Sequence, residues 1–254
     1  LARGGVTQRH DWPIRLLSIV AILLAWQAGA MVAHSRLLPS VVEVVAAMLR
    51  ETASGALPWN LAITLGRVAA AFSVSLLVGG ALGIAMGRWR RLDLLLDSVI
   101  TILLNLPAVV VIVLIYVWFG LTEVAAIAAV ALNKLPSTTV TIREGARALD
   151  PALAEMARSF RMPSGRVLRH VVLPQLTPYF LAASRSGLAL IWKIVLVVEL
   201  LGRSNGVGFQ IQIYFQLFDV TMILAYTLAF ILVVQAIEWF GLQPLEQWIT
   251  RWRR

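Results

Sequence analysis

Six apolar stretches of membrane-spanning length, separated by polar segments, constrain this chain more than any other feature. The hydrocarbon core of a bilayer takes about 20 helical residues to cross. Runs that satisfy this fall at about 16–34, 65–87, 99–119, 122–142, 179–201 and 220–240. Of the 254 residues, 59% are hydrophobic and only 14% are charged, and mean hydropathy is +0.83. Soluble domains are about 45–50% apolar and about 25% charged. The sequence therefore predicts an all-α, polytopic membrane protein, one domain over 1–254, and argues against a water-soluble enzyme. The first run is long for a signal-peptide core and no small-residue cleavage pattern stands out, so it reads as a span.

The net charge of +9 would suggest nucleic acid in a soluble chain. Here the basic residues collect between spans on one side, as in cytoplasmic loops. Three lie before the first span, three at Arg88, Arg90 and Arg91, six in the 143–178 loop and three in the tail. Only Arg36, Arg50 and Arg203 lie on the other side. That asymmetry puts both termini and the 143–178 loop in the cytoplasm, and no basic patch interleaved with aromatics suggests a nucleic-acid partner. The chain has no cysteine, and its three histidines, His10, His34 and His170, share no ligand spacing, so no metal site is expected.

Between the first two spans, Ser40 and Glu43 form a capping box before Val41, Val44, Val45, Met48 and Leu49. This predicts a short amphipathic helix on the membrane surface, ended by Gly55 and Pro58. Gly79, Gly83 and Gly87 recur every four residues on span two, a ridge for close helix approach within the subunit or across a dimer seam. Asn105-Leu106-Pro107 and Pro136 are expected to interrupt spans three and four. Trp12, Trp89, Trp118, Tyr179, Trp239 and Trp248 fall near span ends and read as interfacial anchors. The tail places Leu245, Trp248, Ile249 and Trp252 on one helical stripe.

The 143–178 loop has its own structural logic. Asp150-Pro151 starts a helix, and Leu153, Met156, Ala157 and Phe160 make one apolar stripe along it. Glu155, Arg158, Ser159 and Arg161 face elsewhere. Met162-Pro163-Ser164-Gly165 ends that helix, and a second runs from about Gly165 to Val172, stopping at Leu173-Pro174. The stripe needs a cover: the loop's second helix, the bilayer surface or a groove on another protein.

Glu155-Met156-Ala157 followed by Val171-x-Leu173-Pro174 resembles the EAA loop of ABC importer permeases. The usual pattern is E-A-A, three residues, Gly, nine residues, then I-x-L-P. The spacing matches at every step, with Met156 for the first Ala and Arg161 for the Gly. Leu38-Pro39-Ser40, Thr64-Leu65-x-Arg67-Val68, Trp118-Phe119-Gly120, Trp192-Lys193 and Glu199-Leu200-Leu201-Gly202 are similar to the nitrate/sulfonate/taurine type.

The resemblance implies a type I importer permease fold in a bacterial inner membrane. It also implies a homodimer forming the pathway, two cytoplasmic ABC ATPases and a periplasmic or extracellular substrate-binding protein. Residues 153, 155–158 and 160–163 (Leu153, Glu155, Met156, Ala157, Arg158, Phe160, Arg161, Met162 and Pro163) would couple to the ATPase. No G-x-x-x-x-G-K-[ST] occurs in the chain, so ATP and Mg are expected on the partner and no cofactor on this chain.

Four ionisable residues are pathway or gate candidates: Lys134, Arg185, Lys193 and Glu199. Arg185 and Lys193 share one broad face of span five, which suits a small anionic solute. Arg185 could instead snorkel to the interface, and Lys134 and Lys193 could pair structurally. Glu199 is expected near the outer gate. An ATP-independent secondary carrier or channel is the alternative, although no inverted repeat is visible.

Overall fold

The computed structural model describes residues 12–33, 35 and 37–242. Arg3, Arg9, His10, His34, Arg36 and the tail stripe at Leu245, Trp248, Ile249 and Trp252 lie outside the described residues, as do the side chains of Trp12 and Arg15. All regular structure among the described residues is helical.

α1 (Trp12–Ala33) leads to α2 (Val41–Ala53) and the 33-residue α3 (Ala56–Arg88). The Ser40 cap is as expected: its Oγ accepts from Glu43 N at 3.2 Å, and Ser40 N donates to Glu43 Oε2 at 2.8 Å. The same backbone N–H, and then the hydroxyl, hold the Glu43 carboxyl below the usual carboxylate range. α2 is not simply laid on a surface. Val44 and Ala47 are buried against Ala225, while Val42, Val45 and Leu49 stay exposed. Gly55, at φ 82, turns the chain between α2 and α3. Pro58 then sits in the first turn of α3, where its missing N–H costs nothing. α3 therefore begins well before the expected 65.

The third predicted span is not continuous. α4 (Arg90–Asn105) and α5 (Ala108–Phe119) meet at 103°. Pro107 has no N–H and pushes Leu106 into extended backbone, φ −72 and ψ 130, which closes α4. α6 (Glu123–Arg147) corrects a second expectation, because Pro136 lies inside it without breaking it. Hydroxyls take up nearby carbonyls: Ser137 and Thr138 donate to Lys134 O, and Thr139 donates to Leu135 O at 2.9 Å.

The 143–178 segment holds α7 (Pro151–Ser159), α8 (Ser164–Val167) and a π-turn at Leu168–Val172. Its second helix does not stop at Pro174. It runs on as α9 (Leu173–Gly202), giving unbroken helix over Ser164–Gly202. The π-turn, in which Leu173 N bonds Leu168 O, lies just before Pro174 and shifts the hydrogen-bond ladder where the proline supplies no N–H. α10 (Val207–Gln216) and α11 (Val220–Ile237) follow.

Four helices are long and apolar enough to span a bilayer: α3, α6, Ser164–Gly202 and Val220–Gly241. The α4–α5 pair makes a fifth if its two arms count as one. The described apolar part of α1, Leu17–Ala33, is shorter than these.

α3, α6 and α9 form the centre, with α5, α10 and α11 packed around them. The glycine ridge explains the α3–α6 contact. A Cβ on Gly83 would stand 2.6 Å from Thr139 O, and one on Gly87 would stand 2.5 Å from Ala146 Cβ. On Gly79 it would meet Leu135 O at 3.0 Å. The ridge thus serves packing within the subunit. Arg88, Arg147 and α7 lie at one end of the bundle, here called the coupling end; Gly55, Glu123 and Gly202 lie at the far end.

Gly83→Ala should lower the thermal midpoint of the detergent-solubilised protein, at an overpacking cost of about 1–3 kcal/mol. Gly66→Ala, where nothing lies within 4 Å of the added carbon, should leave the midpoint unchanged or slightly raised. Equal midpoints for the two variants would contradict the close approach.

Candidate functional site

α7 protrudes from the coupling end on two tethers. Asp150 caps it, its Oδ1 accepting from Ala152 N at 2.8 Å, and Pro151 occupies the first helical position. Gln175, at the start of α9, accepts from Asp150 N at 2.9 Å while its own amide donates to Val171 O at 2.9 Å. The N-terminus of α7 is thereby pinned to α9. Behind it, Arg143 and Arg147 at the end of α6 bind Asp93 of α4, and Arg143 also binds Asp97.

The stripe divides in the structure. Ala157 is buried, while Leu153, Met156 and Phe160 are exposed, Phe160 at 76%. The loop's second helix therefore does not cover the stripe. Glu155, Arg158, Arg161 and Pro163 are exposed as well, and Met162 is half-buried.

α7 ends in a Schellman motif. Met162 N donates to Ala157 O at 2.9 Å and Arg161 N to Arg158 O at 2.9 Å. That geometry needs a left-handed residue, and Arg161 takes it at φ 48. Here the residue standing where the EAA pattern has Gly keeps the glycine conformation and bears the strain.

At the far end, the sequence placed Glu199 near a gate. It lies at that end, fully buried in an ion cluster. Arg67 of α3 spends all its donors there. Nε and one terminal nitrogen grip both oxygens of Glu123 at 2.6 and 2.9 Å. The other terminal nitrogen bonds Glu199 Oε1 at 2.7 Å and Asn205 O at 2.9 Å. Asn205 Oδ1 accepts the remaining N–H.

Glu199 Oε2 also accepts from Thr64 Oγ1 at 2.9 Å and Gly208 N at 2.8 Å. Gly206 N donates to Asn60 Oδ1 at 2.8 Å, and Arg203 reaches Glu123 at 2.7 Å. Gly206, at φ 102, lets the loop close over the carboxylate where a side chain would collide with it. α3, α6, α9 and the loop into α10 are thus joined by one charge cluster. Glu123 and Asn60 were not singled out in the sequence. The signal for them was Arg67 itself, a cation inside a span that must find partners.

The remaining candidates separate. Lys134 is 4% exposed and donates to Ser137 Oγ at 2.7 Å. Arg185 and Lys193 are exposed on one stripe of α9 with Ala182, Ser186, Ala189 and Leu190. Trp89, Trp118 and Trp239 are exposed, but Tyr179 packs against Gly145 of α6 and is a packing residue.

The family model described as "Binding-protein-dependent transport system inner membrane component" matches residues 75–240. This chain belongs to that family: it is a permease subunit of an ABC importer. It is 30% identical over 248 residues to the aliphatic sulfonates transport permease protein SsuC of Bacillus subtilis, covering 97% of this chain and 90% of that one. To SsuC of Escherichia coli it is 34% identical, over 75% of this chain and 73% of that one. The taurine transport system permease protein TauC of Escherichia coli is 28% identical, over 76% and 70%.

Two solved structures share the fold. One is an inward-facing form of the MetNI methionine ABC transporter, with TM-score 0.66, 18% identity and coverage of 79% of this chain and 99% of that one. The other is an amino acid ABC transporter crystallised with histidines, with TM-score 0.62, 21% identity and coverage of 77% and 95%.

For a permease, both ends of the bundle bear on function. The far-end cluster holds three helices in register, and the Schellman turn fixes the exit of α7. Arg67→Met should leave Glu199 as an uncompensated buried charge and cost about 3–5 kcal/mol, read as a large loss of folded protein in detergent; wild-type yield and midpoint would contradict this. Arg161→Gly should relieve about 1 kcal/mol of left-handed strain and slow amide exchange at Met162 about fivefold. Unchanged or faster exchange there would mean that the turn is not strained.

Proposed function

We propose that two copies of this permease form the pathway for uptake of a small anionic solute across a bacterial cytoplasmic membrane. Each copy crosses six times with both termini in the cytoplasm, and each sets α7 into a cleft of a separate ATPase. A periplasmic or extracellular binding protein delivers the solute at the far end. ATP and Mg are bound by the ATPases, and the permease has no nucleotide site of its own. The alternative of an ATP-independent carrier does not account for α7.

One observation carries this reading: a rigidly capped helix at the Lys/Arg-rich end presents Leu153, Met156 and Phe160 with no cover of its own. Such a stripe on a helix that protrudes from the bundle suits a partner groove. The relatives named for aliphatic sulfonates, taurine and bicarbonate support an anionic solute. The exposed α9 stripe supports the two-copy pathway. It mixes small residues, suited to close helix approach, with Arg185 and Lys193, which membrane lipid would not tolerate at depth.

Met156→Asp combined with Phe160→Asp should abolish co-purification of the ATPase while the permease still folds. Retained ATPase would place the docking elsewhere. The chain has no cysteine, so Ala189→Cys gives a single reporter. Oxidation should convert the assembled complex to a permease disulfide dimer, and a monomer with a fully reactive thiol would contradict the seam.

A further inference from the structure

We propose that Lys134 is the charge-reading contact of the pathway: an ammonium held inside the bundle with no carboxylate partner among the described residues, which takes up a small oxyanion in passage. The inference rests on the permease reading above and adds to it a binding residue and its ligand chemistry.

The carboxylates define the opportunity. Glu123 and Glu199 are committed to Arg67 and Arg203 at the far end. Asp93, Asp97 and Glu144 are committed to Arg143 and Arg147 at the coupling end. Glu51 accepts from Tyr226, Glu43 from Ser40, and Asp150 and Asp219 cap helices. Along α6, Glu123 and Glu144 lie about 16 and 15 Å from Lys134 at 1.5 Å per residue. Lys134 therefore sits midway between two ion clusters, out of reach of both.

Its own hydrogen bonding is incomplete. An ammonium has three donors. One goes to Ser137 Oγ at 2.7 Å, and that hydroxyl donates onward to Lys134 O at 3.1 Å. No other partner for the ammonium occurs among the described residues. Arg67 shows the contrast, since every one of its N–H groups is taken. A buried charge is kept only where something compensates it.

Close packing against α9 fixes where the ammonium lies. The Lys134 side chain crosses α9 at Gly187, where an added Cβ would lie 2.6 Å from Cε and 3.5 Å from Nζ. Gly187 adjoins Ser186 on the exposed α9 stripe. On α6, Asn133, Ser137 and Thr141, four residues apart, make a half-buried polar row beside Lys134. The Ser137 and Thr141 hydroxyls are spent on Lys134 O and Ser137 O, and one Asn133 N–H on Ala129 O, which leaves the ammonium and the second Asn133 N–H as the donors for an oxyanion. The ligand is a small, singly charged oxyanion such as an alkylsulfonate head.

The test uses the purified permease–ATPase complex without binding protein. Its thermal midpoint is titrated with ethanesulfonate and with ethyl methyl sulfone, the neutral analogue of the same shape. The wild type should be stabilised by the sulfonate and not by the sulfone. Lys134→Met should raise the half-effective sulfonate concentration by at least about tenfold, the worth of one charged hydrogen bond, whereas Lys134→Arg should stay within about threefold.

Each titration is read against the same variant without anion, so altered basal stability does not mask the result. If Lys134→Met does not assemble, Lys134→Gln replaces it with the same expectation. An unshifted titration in the neutral variant, equal stabilisation by the sulfone, or no response to sulfonate in the wild type would each overturn the proposal. So would chloride alone reproducing the shift, which would make the occupant a resident halide. Failure of the permease reading looks different, because no ATPase would then co-purify with the wild type.

Discussion

Close approach of α3 to α6 is the constraint from which the rest of the bundle follows. Within lipid no hydrophobic drive separates helix from solvent, so association rests on van der Waals contact and interhelical hydrogen bonds. Gly79, Gly83 and Gly87 remove the side chains that would hold the two backbones apart. The joined pair then presents Arg67 and Glu123 side by side at the far end, where Glu199 and Asn205 complete the cluster. That approach is what brings Arg67 within reach of Glu123.

At the other end the same pair becomes a lever. α6 passes directly through Ala148, Leu149 and Asp150 into α7, and α7 returns through its Schellman turn to α8 and the continuous helix of α9. Gln175 clips the base of α7 to α9, and the arginines of α6 clip to α4. A displacement of α7 therefore bears on two of the three central helices at once. Those helices carry Lys134 on one side and Arg185 and Lys193 on the other. This geometry lets force applied at the coupling end act on the residues proposed to meet solute.

Much of this was legible in residue order. Apolar run lengths located the four helices long enough to span a bilayer, the Ser40 box and the Asp150-Pro151 start located two helix ends, and the EAA spacing fell on α7. The limits have physical causes. Proline was read as a breaker at Pro136 and Pro174, but helix runs through both, with hydroxyl bonds to Lys134 O and Leu135 O beside the first and a π-turn just before the second. At Pro107 no such compensation exists, and the chain bends by 103°. The partners of Glu199 were not legible because they are remote in sequence: Arg67 stands 132 residues away. Arg161 looked like a departure from the family pattern, yet its backbone obeys it.

The central claim, that α7 moves as one body with α6 and α9 when the motor engages, is tested most directly by spin-label distances in the assembled complex. Cysteines at Ser159 and Ser184 report the α7–α9 distance within one copy, and a cysteine at Ser159 alone reports the distance between copies. On adding a non-hydrolysable ATP analogue, the between-copy distance should shorten while the within-copy distance stays fixed. A within-copy distance that changes while the between-copy distance does not would show α7 flexing on its own hinge, and would contradict the account.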